Sequence, residues 1–369
     1  KLQKLTKENI QSKRSIENIN VYKGGKAKLN NNKTVIKLSS NENPYGASPK
    51  VIKLLETNNI NPDLHRYPEI DGSSLREAIA KNFSIDSNRI ILGSGSDEIL
   101  LFAALAFCQD GDEILHANHG FEMYSIVSKV VGAVPKKIIE DQNFNLDINT
   151  IIEKVTDSTK VIYLASPNNP TGTYLPKEKI LKLMQKISKN IIVVIDGAYV
   201  EYVEKTDYDK GFSLSEEFDN LILTRTFSKT YGLAALRIGW CYTSKKVANI
   251  INKIKPPFNT TSISQLMAIK ALEDSEYIEK IVKLNSEVKT WFENELFKLK
   301  IKTKETQGNF SLIQTTIDGA NKIANHLAND GIIVRRLDSY NLANFLRISI
   351  GTKEEMELTI NSLKNFNEQ

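Results

Sequence analysis

Cysteine and histidine are scarce in this chain: 369 residues contain two of the first and four of the second. Cys108 and Cys241 both sit in apolar runs, where buried free thiols are expected rather than a disulfide framework. A reducing compartment fits that usage. His65, His116, His119 and His326 share no helical or cysteine-paired metal spacing, so no metal site is expected. No apolar run reaches the roughly 20 residues of a membrane span. The first 20 residues are polar and lack the apolar segment of a secretion signal. A soluble cytoplasmic protein without a membrane partner is the expectation. Blocks of like charge are missing as well: the net charge of +5 is dispersed among many Lys and Glu. A nucleic-acid surface needs its positive charge clustered on one face, so no nucleic-acid partner is expected.

What is present is an alternation of short apolar strands and amphipathic helices. Strand candidates lie at 90–92, 113–116, 161–165, 191–195, 221–223 and 238–242. Helical patterns fill intervals such as 122–131 and 177–188. Ser74-Leu75-Arg76-Glu77 has the spacing of a capping box opening a helix that runs to about Phe83. Continuous apolar strands separated by helices indicate an α/β fold with an open, mostly parallel sheet covered on both faces. After Lys255-Pro256-Pro257 the pattern changes to long helices and short strands at 310–314, 332–335 and 345–350. Thr352-Lys353-Glu354-Glu355 then caps a last helix. This second part reads as a smaller α+β domain. The expected organisation is an extended polar arm over 1–35, a large domain over 36–260 and a small domain over 261–369.

In open parallel sheets ligands bind where the strands end, and the loops there form a chemical set. Gly95-Ser96-Asp97 starts a helix, where free amides and the helix dipole suit a phosphate, although such loops also occur as plain caps. Pro167-Asn168-Asn169-Pro170-Thr171-Gly172 is a tightly constrained turn. Asp196 follows a fully apolar strand, where a carboxylate is costly unless a cation or donor meets it, and Tyr199 lies three residues on. Ser228 and Lys229 follow another strand, with Arg237 beyond. Among 49 Lys and Arg a single lysine says nothing. A lysine nucleophile, an aspartate needing a cation and a set of phosphate donors are together the parts required around pyridoxal 5′-phosphate.

The chain resembles the class II branch of the fold type I pyridoxal-phosphate-dependent aminotransferases. Within that branch it is most similar to the histidinol-phosphate aminotransferases. The resemblance runs from about Tyr22 to Gly351. It rests on Ser40-Asn41-Glu42-Asn43-Pro44-Tyr45-Gly46, Arg66-Tyr67-Pro68, the 167–172 turn, Asp196-Gly197-Ala198-Tyr199, the Lys229 motif and Leu346-Arg347-Ile348-Ser349-Ile350-Gly351. It implies Lys229 as the Schiff-base lysine, Asp196 on the pyridine nitrogen, and Asn169 and Tyr199 on the ring's 3-oxygen. Phe121 would stack on the ring. Ser228, Arg237 and the amides of Gly95, Ser96 and Asp97 would hold the phosphate, joined by Tyr67 of a neighbouring subunit in a homodimer. Tyr22, Asn43, Arg335 and Arg347 would meet the substrates, which the resemblance implies to be histidinol phosphate and 2-oxoglutarate, the latter becoming glutamate.

This sequence departs from the family pattern in places. Phe121 stands where a tyrosine is usual, Gly197 replaces a common Glu, and Thr230 and Ala235 take positions of Ala and Gly. Tyr22-Lys23-Gly24-Gly25 differs from the usual Pro-Tyr-x-Pro-Gly. None of these changes removes a catalytic group, but the arm and Phe121 lie where substrates are selected. An aromatic or other amino-acid aminotransferase, or a threonine-phosphate decarboxylase, would keep most of the same residues.

Overall fold

A computed structural model describes residues 10–29, 35–57 and 63–367. Twelve strands fall in the described residues: β1 (Ile36–Leu38), β2 (Ile90–Gly93), β3 (Glu113–Ala117), β4 (Val134–Ile138), β5 (Thr159–Ala165), β6 (Ile192–Asp196), β7 (Leu221–Thr226), β8 (Gly239–Tyr242), β9 (Lys302–Lys304), β10 (Phe310–Gln314), β11 (Ile332–Arg336) and β12 (Phe345–Ser349). They form a seven-stranded sheet of order β2-β8-β7-β6-β5-β3-β4 and a five-stranded sheet of order β1-β11-β12-β10-β9.

In the larger sheet β4, β3, β5, β6 and β7 run parallel, and β8 lies antiparallel to both β7 and β2. The strands are apolar on both faces because each face is covered. Ile162, Leu164, Val193, Ile195, Leu221 and Leu223 pack on one side with Leu75, Ile79, Ile180 and Leu183 of two helices. Val161, Tyr163, Ile192, Val194 and Ile222 pack on the other with Ile99, Phe102 and Val127. Residues alternate between the two cores because side chains alternate along a strand. The smaller sheet packs Leu38, Ile313, Ile332, Leu346 and Ile348 against Phe292, Leu327 and Ile360.

Three strands had escaped the sequence reading, β1, β4 and β9, and all lie at sheet edges. Each is interrupted by lysine and partly solvent-facing, and Pro135 is tolerated in β4 because an edge strand has an unpaired side. The two capping boxes also fare differently. Thr352 and Glu355 exchange the reciprocal bonds, at 2.8 and 3.2 Å. The box at Ser74 does not form: the helix begins at Ser73, and it is Glu69, from the preceding loop, that accepts from the Ser74 amide at 2.8 Å. A carboxylate at a helix start has the dipole in its favour, so Glu69 takes the place of the expected cap.

Of the arm, residues 1–9 and 30–34 lie outside the described residues. The remainder is not wholly extended, since Arg14–Glu17 forms one helical turn. The expected cut after residue 35 falls just before β1, which joins the smaller sheet beside β11. Helix Ser262–Leu272, beyond the expected cut at 260, buries Met267, Ala268 and Ala271 in the core of the larger sheet.

Candidate active site

Strand direction gathers the chemistry. β2, β3, β5, β6 and β7 end at one edge of the sheet, so the loops after them arrive together. β8 runs the opposite way, so its start reaches that edge, and this brings in Arg237, two residues before it. A cavity of about 340 Å³ opens there. Lys229, Asp196, Tyr199, Asn169, Ser228, Arg237, Ser96, Asp97 and Phe121 border it from the larger sheet, and Tyr22, Arg335 and Arg347 complete the wall. Three expected residues do not line it. Gly95 lies behind Arg237. Asn43 donates to the Thr230 carbonyl at 2.9 Å, beside the lysine. Tyr67 is 81% exposed and stacks on Phe258 at 4.5 Å.

Asp196 ends β6 at 6% exposure. Its two oxygens accept from the Tyr124 hydroxyl at 2.8 Å and the Thr224 hydroxyl at 3.0 Å. Burial raises its carboxyl above the ordinary value, and the two hydroxyls pull the other way. Among the described residues no cation bonds to it. A buried carboxylate in this condition fits the protonated nitrogen of a heteroaromatic ring, whose positive charge would offset its desolvation.

Lys229 is held by the Ser40 carbonyl, 2.9 Å from its Nζ, and Nζ lies 5.6 Å from the centre of the Tyr199 ring. The Ser40 loop is tied to the lysine loop at Gly232, whose φ is +68° and where a Cβ would come within 2.2 Å of the Gly46 carbonyl oxygen. Tyr199 accepts from the Asn41 amide at 2.9 Å. Asn41 is joined in turn to Ser349 and Asn309, which links the lysine loop to the smaller sheet.

Arg237 has a φ of +50°, an uncommon backbone state for a residue with a side chain, of the kind that clusters at functional sites. Its guanidinium donates to the Ser228 hydroxyl at 3.3 Å and lies 3.7 Å from Asp97. A Cβ on Gly95 would stand 2.6 Å from Arg237 Nη2, so only glycine lets the guanidinium lie against the start of helix Ser96–Phe107. Helix amides, a hydroxyl and a guanidinium set side by side could hold a phosphate.

Arg347 is 5% exposed. It donates to the Asn169 amide oxygen and to the Ser39 carbonyl at 2.7 Å, while its Nε has no partner among the described residues. Burial lowers its guanidinium from the ordinary value. A buried cation bonded only to neutral oxygens is suited to an incoming anion. Arg335 is its directly opposite neighbour across β11 and β12.

Sequence reasoning missed Tyr124 and the Ser39 and Ser40 carbonyls. Tyr124 carried a signal, since it shares the inner face of helix Glu122–Val131 with Val127 and Ser128, and a tyrosine facing a core needs a partner for its hydroxyl. Backbone carbonyls carry none, because every residue has one.

Solved structures with the same architecture include the histidinol-phosphate aminotransferase of Sinorhizobium meliloti in complex with pyridoxal-5′-phosphate, with a TM-score of 0.84 at 23% identity, covering 91% of each chain. Another is the histidinol-phosphate aminotransferase of Clostridium acetobutylicum, with a TM-score of 0.82 at 23% identity, covering 90% of this chain and 99% of that one. The fold is that of the fold type I pyridoxal-phosphate-dependent transferases. Residues 33–363 match the family described as Aminotransferase class I and II. Relatives include the histidinol-phosphate aminotransferases of Pelagibacter ubique, 41% identical over 94% of this chain and 96% of the relative, and of Paramagnetospirillum magneticum, 38% identical over 95% and 97%. The chain belongs to the aminotransferase class I and II family, and its cofactor is the pyridoxal 5′-phosphate of that family. Among the described residues no helix is long and apolar enough to cross a membrane.

Proposed function

We propose that the protein moves the amino group of L-histidinol phosphate to 2-oxoglutarate, giving imidazole acetol phosphate and glutamate, as a step of histidine biosynthesis. The observation that carries this is the pair Arg335 and Arg347, opposite each other on adjacent strands and both at the cavity with Tyr22. One guanidinium suffices for a carboxylate. Two beside a tyrosine hydroxyl suit the higher charge of a phosphate, while Arg347 by itself meets either anion in turn.

Bound pyridoxal phosphate supplies a carbonyl for the amine and an electron sink for the bond to the Cα proton. The protein supplies the rest. Lys229 Nζ carries the cofactor between turnovers and, once free, moves the proton from the substrate Cα. Asp196 holds the pyridine nitrogen protonated, and Tyr124 and Thr224 keep its oxygens oriented. Arg347 occupies the Asn169 oxygen, which leaves the Asn169 amide nitrogen, with the Tyr199 hydroxyl, to donate to the ring's 3-oxygen. The Gly95-Ser96-Asp97 amides, Ser228 and Arg237 take the phosphate of the cofactor. Phe121 packs on the ring. Asn43 acts from behind, through the Thr230 carbonyl.

We infer a homodimer in which Tyr67 completes the phosphate site of the partner subunit. Tyr67, Leu64 and Ile70 are 81%, 80% and 57% exposed, an apolar patch that an interface would cover. The two unpaired thiols support a cytoplasmic location. The test of the function is a panel of amine donors with 2-oxoglutarate. Histidinol phosphate should support glutamate formation at the highest kcat/KM. If phenylalanine or tyrosine does so and histidinol phosphate does not, the substrate assignment falls.

A further inference from the structure

Next to the cavity, and outside its lining, lies a partly buried histidine paired with a buried carboxylate, which the proposed chemistry does not use. Glu140 follows the edge strand β4, and its side chain is only 3% exposed. It meets His119 at two points: Oε1 accepts from the His119 amide at 2.8 Å, and Oε2 lies 3.2 Å from His119 Nδ1 without hydrogen-bond geometry. The chain of contacts continues through the His119 carbonyl, which accepts from Asn168 Nδ2 at 3.0 Å. Asn168 closes its own turn through the Thr173 carbonyl at 2.7 Å and the Gly172 amide at 2.8 Å. Glu140, His119 and Asn168 thus tie together two loops that touch nowhere else by a hydrogen bond among the described residues. One ends two residues later at Phe121; the other carries Asn169 as its next residue.

The tie also extends to the smaller sheet. The His119 ring meets the Phe144 ring edge-on at 5.4 Å, and Phe144 meets Phe345 at 5.5 Å. Phe345 lies two residues before Arg347 on β12. Phe144 itself is buried with Leu312, Leu337 and Tyr340, away from the larger sheet's cores. A loop of the larger sheet's edge is therefore plugged beside the strand that carries the buried arginine.

We propose that Glu140 and His119 are positioning residues of the active site, setting the separation between Phe121, Asn169 and Arg347. This rests on the functional reading above, in which Phe121 packs on the cofactor ring and Asn169 meets its 3-oxygen. Charge is part of the device. The carboxylate accepts from the His119 backbone amide and sets its second oxygen 3.2 Å from Nδ1, which has no hydrogen-bond partner among the described residues; a glutamine keeps one oxygen for the amide but puts no charge beside Nδ1. Groups that hold metal-ligating residues from behind typically change affinity or activity about 10- to 100-fold when removed, and the lower end of that scale is taken for residues that position a cofactor site.

The test uses full-length wild type, Glu140→Gln, Glu140→Ala and His119→Gln. Each is stripped of cofactor and titrated with pyridoxal phosphate, with circular dichroism in the cofactor's visible band and thermal unfolding recorded alongside. Expected is about tenfold weaker cofactor binding in Glu140→Ala, a changed visible signal per bound cofactor, and partial recovery of both in Glu140→Gln. The turnover deficit should lie in kcat more than in the KM for the amine. Wild-type affinity and an unchanged visible signal in Glu140→Ala would overturn the proposal, as would a fall in melting temperature with the signal per bound cofactor intact. If Glu140→Ala does not fold, Glu140→Gln and His119→Gln decide by the same readouts. A wild-type protein that takes up no pyridoxal phosphate would instead refute the functional reading beneath it.

Discussion

At one end of the cavity Asp196 is 6% exposed and held by two hydroxyls from within its own chain. At the other end Tyr22 is 40% exposed, and the guanidinium of Arg335 makes no hydrogen bond or ion pair among the described residues. The first end is assembled from strand termini of one sheet and packed against two cores. The second is assembled from an arm with a single helical turn and from a strand of the smaller sheet. The difference separates two tasks. Groups that handle the cofactor need fixed separations, because catalysis falls steeply with misplacement. Groups that admit two dissimilar anions in turn need to yield.

The comparison can be broken most sharply at Lys229. Lys229→Ala should lose at least about 10³-fold in kcat, since the proposed chemistry would lose both its covalent anchor and its proton carrier; retention of a tenth of wild-type turnover would displace it from the chemistry. Asp196→Asn should follow, with a loss of about 10²- to 10³-fold, the scale of removing a preorganised charge from an active site. The same variant tests the burial of that carboxyl. Its value is raised in the fold above the ordinary 3.8, so between the two values the native state binds more protons than the unfolded chain, and stability falls as pH rises through that window. In the cofactor-free protein the stability advantage of Asp196→Asn over wild type, read from urea unfolding, should therefore shrink as pH is lowered from 7 toward 4.

The open end should respond less, and selectively. Arg335→Met should raise the KM for histidinol phosphate about 10-fold or more, the value of a lost hydrogen-bonded charge, while leaving the KM for 2-oxoglutarate within about threefold. Equal effects on both would mean that Arg335 serves every anion. Tyr22→Phe should shift only the phosphate-bearing donor, by about 2- to 5-fold, one neutral-donor hydrogen bond. The smallest effect is expected away from both ends. Burial pushes the thiols of Cys108 and Cys241 up to about 12, so neither should react appreciably with a thiol reagent in the native protein at pH 8, and both should after denaturation.

Much of the rigid end was legible beforehand because it is encoded locally. Asp196 ends an apolar strand, Asn169, Ser228 and Lys229 lie in the loops that follow one, and a strand's end is readable from its own residues. Arg347 and Arg335 were legible through the resemblance alone, since nothing in 332–335 or 345–350 marks an arginine as facing a cavity. Tyr124 was passed over because its helix offered several inner-face residues and only the sheet's packing selects which one meets Asp196. The false capping box at Ser74 failed for a related reason: the competing Glu69 comes from a loop whose path is set by its neighbours.

By itself, then, the sequence determined the α/β class, the strands of both sheet interiors and the set of groups at the strand ends, because apolar periodicity and turn chemistry act over a few residues. Tertiary structure alone decided that Ser40 holds the lysine, that Tyr124 and Thr224 share Asp196, that β1 crosses to the smaller sheet, and that Glu140 reaches His119. The side-chain partners among these are separated by 21 to 189 residues, and a hydrogen bond is fixed by distance in space, which no local pattern records.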